Sequence, residues 1–149
     1  MKSKDLEEQV LTAWIGLNGL LKDSQMTRGL TYNEATTMKL VYDRYRADGE
    51  GRTPVQYIIR QTRMLKSQVN RTLNSLCDQG YLVKERGAED ARNLFVRPDP
   101  ARLEDFLAVH RHSLSLVQAV IHVIGESDAA EFVRICGKLS AAAPELTAI

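Results

Sequence analysis

The chain has 149 residues, of which 44% are hydrophobic and 26% charged, and its formal net charge is +1. That size suits one domain, or a small domain with an oligomerisation element. Two cysteines exclude a disulfide framework and suit a reducing cytoplasm. The opening MKSKDLEEQV has no apolar core for a signal peptide, and no apolar run approaches the ~18 residues of a membrane span.

Leu6, Val10, Trp14, Leu17 and Leu21 recur at helical spacing, widened by Leu11, Ile15 and Leu20. They predict a helix over 4–23 whose apolar face is too broad for a lone surface helix. In LTYNEATTM, Thr31 and Glu34 have the spacing of a capping box, so a second helix starts there and stops before Asp48-Gly49. Met38, Leu40, Val41, Tyr42 and Tyr45 supply its inner side. Thr53-Pro54 with Gln56 repeats the start signal, which predicts Thr53 as N-cap of a short helix over 54–61. After the bend TRML, KSQVNRTLNSLCDQG reads as another helix, with Val69, Leu73 and Leu76 inward and Gly80 as a left-handed stop. YLVK and NLFV read as strands around the loop Gly87–Asn93. Beyond two prolines, 101–124 is helical, Gly125 ends it, and Ser127 is placed to cap a last helix to about Ala142.

Helix, bend, helix and hairpin in that order make a winged helix-turn-helix, whose second helix lies in the major groove. Such a helix needs side chains that bond base edges. This one presents Ser67, Gln68, Asn70, Arg71 and Asn74 behind Lys66, with no acidic residue between Lys66 and Cys77. Charge is distributed accordingly. Residues 1–51 sum to −1, 52–97 to +5 and 98–149 to −3, which fits a phosphate-facing middle, although surface variation alone gives such an excess in some proteins.

The segment KSQVNRTLNSLCDQGYLVKERGAEDARNLFV resembles the MarR family of bacterial transcription regulators. Ser67, Val69, Arg71, Leu76, Gly80, Asp90 and Arg92 stand at the family's motif positions, and Leu30-Thr31 resembles its helix start. Leu65 departs from the usual capping residue, and Pro98-Asp99-Pro100 replaces the usual sequence after the wing. The resemblance covers about residues 29–97. It implies a mainly α (α+β) fold: a winged helix-turn-helix with a two-stranded wing, plus N- and C-terminal dimerisation helices. The corresponding segments are 1–28, 29–99 and 100–149. It also implies that Asp90 braces the wing by pairing with an arginine while Arg92 approaches the minor groove, where narrow A·T tracts attract arginine. Arg86 is a candidate phosphate contact.

The outer helices carry apolar faces that a small winged helix cannot bury, and in the family these segments interdigitate across a two-fold axis. Leu11, Trp14, Ile15, Leu114, Val117, Val120, Phe132 and Ile135 are the expected interface of a homodimer reading a pseudo-palindromic operator in double-stranded DNA. The bland alternative is an intramolecular bundle. Many family members bind a small effector. Trp14, Met38, Tyr42, Phe106 and His110 are candidates for such a pocket, although residues of these types at helical spacing are also ordinary core.

Enzyme and metal chemistry find no motif: His110 and His112 do not share a helix face, and there is no H-E-x-x-H, G-x-S-x-G or C-x-x-C. No cofactor, metal or membrane partner is expected. Cys77 and Cys136 read as buried thiols, with a redox switch as the alternative; activation needs a cationic or helix-N-terminal setting, and Cys77 sits near a helix C-terminus. The expectation is a cytoplasmic, dimeric, DNA-binding regulator, most often a repressor. The alternative is a winged-helix protein-interaction module, or an antagonist of another regulator, that no longer binds DNA.

Overall fold

A computed structural model describes residues 3–23, 29–90 and 92–147. In order, the elements are α1 (Ser3–Leu21), α2 (Tyr32–Asp48), β1 (Thr53–Pro54), α3 (Val55–Thr62), α4 (Lys66–Asp78), β2 (Leu82–Arg86), β3 (Leu94–Pro98), a 3₁₀ turn (Pro100–Arg102), α5 (Leu103–Ile124) and α6 (Glu126–Leu146). This is the expected order with one strand added, so the wing belongs to a three-stranded antiparallel sheet, β1–β3–β2. The chain forms two compact units, Met1–Ser113 and Leu114–Ile149.

In the first unit, α2 opens with the expected capping box. The Glu34 amide donates to the Thr31 hydroxyl at 3.1 Å, and the Thr31 amide donates to Glu34 Oε1 at 3.0 Å. Two orphan donors of the first turn are thereby satisfied. Gly49, at φ 76°, ends the helix by donating to the Tyr45 carbonyl.

Thr53 does not cap the next helix. Thr53 and Pro54 pair with Val96 and Phe95 of β3, and the Thr53 hydroxyl donates to the Gly51 carbonyl at 2.9 Å. α3 therefore starts at Val55 with Pro54 before it and no side-chain cap. A threonine ahead of Pro-x-Gln looks the same from sequence whether it caps a helix or ends a strand, and the partner that decides lies far along the chain. Proline is tolerated in a strand this short because β1 is an edge.

α4 ends as expected. Gly80 has φ 85°, its amide donates to the Cys77 carbonyl, and the Tyr81 amide reaches back to the Leu76 carbonyl, both at 3.0 Å. Glycine also leaves room for Arg102: a Cβ here would stand 1.8 Å from its Nη1, which donates to the Gln79 carbonyl at 2.9 Å. Strands β2 and β3 pair from Leu82↔Pro98 to Arg86↔Leu94. The proline-rich stretch after the wing forms the 3₁₀ turn, with Asp99 Oδ1 accepting from the Ala101 amide at 2.9 Å.

Val41 of α2, Ile58 of α3, Val69, Leu73 and Leu76 of α4, Leu82 and Val96 of the sheet, and Phe106 of α5 form one buried core. α1 has no place in it and buries no residue.

In the second unit, α6 likewise buries no residue. Gly125, at φ 90°, precedes it with no side-chain cap, so Ser127 lies inside the first turn and is not the N-cap. The helix runs past Ala142, through Pro144, to Leu146. The stretch Pro100–Ile124 is long and apolar enough, by length and composition, to cross a membrane. That corrects the expectation that no segment approaches this measure. Phe106 and Val109 in its first half are buried in the winged core.

Candidate nucleic-acid interface

Val69, Leu73 and Leu76 are fully buried and fix the rotation of α4. The opposite face then presents Lys66, Ser67, Gln68, Asn70, Arg71 and Asn74, all exposed. Two of these six are already engaged. Leu65 has no acceptor with which to cap α4, and Gln68 supplies half of a capping box in its place. Its Oε1 accepts from the Leu65 amide at 2.9 Å. An adenine read in bidentate fashion needs both the oxygen and the nitrogen of a glutamine, so Gln68 as held here offers only donors. Asn74 Oδ1 accepts from Lys84 Nζ on β2, which ties the helix to the wing. Ser67, Asn70 and Arg71 make no side-chain hydrogen bond or ion pair with a described residue.

Glu34 positions α4, a role beyond its cap. Its Oε2 accepts from Ser75 Oγ at 3.0 Å and from Gln79 Nε2 at 2.6 Å, fastening the start of α2 to the tail of α4. Burial pushes the Glu34 carboxyl up, but hydrogen bonds from Thr31, Gln79 and Ser75 outweigh it and hold it below its ordinary value. Sequence reading missed this second role because Ser75 and Gln79 carry no local signal for it. It also missed a cleft of about 330 Å³ beside the reading face, where Thr31 and Asn33 meet Gln68 and Arg71.

Within the wing, the Gly87 amide donates to the Asn93 carbonyl at 2.8 Å, and the Asn93 amide to the Asp90 carbonyl at 3.0 Å. Asp90 Oδ1 accepts from the Arg92 amide at 3.0 Å, and both carboxylate oxygens take the Arg92 guanidinium at 3.2 Å. The arginine that pairs with Asp90 is thus Arg92 itself. The side-chain and backbone donors of Arg92 hold the Asp90 carboxyl below its ordinary value. Ala91 between them lies outside the described residues. The Arg92 side chain remains 92% exposed, and Arg86 is exposed at the end of β2. At the base of the wing, Glu85 takes both Arg52 and Arg97, and the Arg52 guanidinium lies 3.9 Å from the centre of the Phe95 ring.

Charge is therefore neutralised unevenly. Arg52, Arg92 and Arg97 have carboxylate partners. Arg60 and Arg63 on and after α3, and Lys66 and Arg71 on α4, have none among the described residues. From Gly51 to Cys77 the chain contains no Asp or Glu.

The other expected residues are placed as follows. Met38 and Phe106 are buried in the core and offer no open surface to an effector. Tyr42 stacks on His110, with ring centroids 3.4 Å apart. Burial first, and then the charge of Lys39 and Arg46, lowers the His110 pKa against the opposing pull of Asp43. Trp14 is exposed on α1. Burial raises the Cys77 pKa, which makes its thiol a poorer nucleophile. Among the described residues, no group of three or more His, Cys, Asp or Glu is placed to hold a metal.

Residues 44–93, from the end of α2 through the wing turn, match the model of the MarR family. Over this segment the chain is similar to the MarR family. The MarR-type fold extends well beyond it. BldR, a transcriptional regulator from Sulfolobus solfataricus, superposes with a TM-score of 0.73 at 16% identity over 95% of this chain and 99% of its own. AbsC, a MarR family transcriptional regulator from Streptomyces coelicolor, gives 0.73 at 20% identity over 97% of each chain. Streptococcus pneumoniae FabT, solved in complex with DNA, gives 0.65 at 14% identity over 97% of this chain and 99% of its own. At these identities the likeness is one of fold. No curated protein matches the sequence.

Proposed function

We propose that this chain is a sequence-specific regulator of transcription that binds double-stranded DNA as a homodimer, most often repressing, in the cytoplasm where the chromosome lies. The observation that carries this reading is the unneutralised basic face of the helix-turn-helix. Arg60, Arg63, Lys66 and Arg71 are exposed without a carboxylate partner among the described residues, beside Ser67 and Asn70. A solvated protein surface mixes signs, whereas a surface that displaces counterions from DNA does not. Ser67, Asn70 and Arg71 are the base readers. Gln68 and Asn74 contribute their amide nitrogens, Arg86 meets phosphate, and Arg92 reaches the minor groove by leaving Asp90.

The dimer is supported by the eight expected interface residues, Leu11, Trp14, Ile15, Leu114, Val117, Val120, Phe132 and Ile135, all between 38% and 64% exposed. Apolar surface of that extent marks an association site. One short recognition helix also reads too few base pairs to act alone.

The test is fluorescence anisotropy on the duplex upstream of the chain's own gene, across a salt series, with an unrelated duplex alongside. Binding that falls steeply with salt and exceeds the unrelated duplex by ~10³-fold or more is expected. Arg71→Ala should cost ~1–3 kcal/mol, confined to the specific site. If a random-sequence selection also returns no motif, the DNA reading fails and the winged helix is a protein-interaction module.

A further inference from the structure

Arg63 is the one non-glycine residue with a positive φ, 58°, among the described residues. An L side chain crowds its own backbone there, and the turn of a helix-turn-helix often uses glycine for that reason. The internal gain is a backbone bond alone: the Arg63 amide donates to the Ile59 carbonyl at 3.0 Å and closes α3, a cap that glycine makes equally well. The Arg63 side chain is exposed and makes no hydrogen bond, ion pair or ring contact with a described residue. Arg60 and Lys66, three residues to either side, are also exposed and have no partner among the described residues, so the turn adds charge repulsion to backbone strain.

A strained residue whose backbone caps a helix as glycine would, and whose side chain makes no bond with a described residue, points to a function for that side chain outside its own fold. The turn joins a helix that crosses the DNA backbone to one that enters the major groove. A cation at that corner faces the sugar-phosphate strand and not base edges.

We propose that Arg63 is a phosphate contact, flanked by Arg60 and Lys66, which this protein retains at the expense of its own stability. The inference rests on the DNA-binding reading above and adds a contact that carries no sequence information.

The experiment compares wild type with Arg63→Gly, Arg63→Asn and Arg63→Lys on the upstream duplex and on an unrelated duplex of equal length, with thermal unfolding in parallel. Glycine relieves the strain, so Arg63→Gly should raise Tm by about 2–5 °C. The same variant should bind both duplexes about 3–10-fold more weakly near 0.15 M salt, with the slope of log K against log salt reduced by about 0.9 per subunit. Asparagine, which tolerates the left-handed region without charge, should reproduce the lost slope, and lysine should keep it. A stability rise with unchanged slope in Arg63→Gly and Arg63→Asn, while wild type binds DNA normally, overturns the phosphate role alone. Loss confined to the specific duplex overturns it too, because that would mark a base reader. If wild type binds no duplex in a salt-dependent manner, the DNA reading falls and this inference falls with it.

Discussion

The winged helix and the outermost helices follow opposite rules of burial. In the winged helix, Val41, Ile58, Val69, Leu73, Leu76 and Val96 are completely enclosed by one another's elements. α1 and α6 are comparable or greater in length, yet neither buries a single residue. Both regions contain abundant Leu, Ile and Val, so hydrophobic content does not separate them. The first region is closed within a single chain. α1 and α6, each within its own unit, hold apolar side chains that stay exposed.

Four measurements put that contrast at risk. Leu73→Ala opens a cavity in a sealed core and should cost ~2–5 kcal/mol in urea unfolding; a loss near zero would mean that the core is not sealed. Ile135→Asp puts a charge on the open region. It should raise the homodimer dissociation constant by roughly 100-fold, about 2.7 kcal/mol, measured by sedimentation. If wild type already sediments as a monomer, the open surface serves something other than a second copy. Gly80→Ala should cost ~1–3 kcal/mol, because φ 85° is strained for alanine and Arg102 must swing away from the Gln79 carbonyl. Dimer affinity should not change, and a change would couple the two regions.

The smallest effect concerns pH. The folded carboxyl of Glu34 lies below its ordinary value of 4.5. Its contribution is therefore present above the unfolded pKa and is lost as pH falls through the folded one. Urea unfolding at pH 7 and at pH 3 should show the loss. Glu34→Gln should remove that component of the pH dependence and cost about 1–2 kcal/mol at pH 7.

What could be read from the sequence was what is decided within a few residues. Thr31 and Glu34 meet three positions apart, Gly80 ends its own helix, and Val69, Leu73 and Leu76 repeat at one turn. The Asp90-x-Arg92 pair is equally local, and the structure adds that the partner is Arg92 itself. Thr53 carried the same local signal as Thr31, but Val96 claimed it for the sheet. Ser127 resembles a cap, yet the chain is already helical at Glu126. Gln68 was legible as exposed and polar, but its bond to the Leu65 amide was not, because it compensates for a missing capping side chain. The neutralisation of Arg52 and Arg97 by Glu85, and the second role of Glu34, depend on side chains from distant strands and helices that meet only after folding.

Glu34 also sets an order of events during synthesis. Its Oε1 bond to Thr31 is available as soon as the first turn of α2 leaves the ribosome. The Oε2 partners stand 41 and 45 residues further along. At ~5–20 residues per second that interval is roughly 2–9 s. A helix that forms in that interval has Thr31 for one Glu34 oxygen and only water for the other until Ser75 and Gln79 are made.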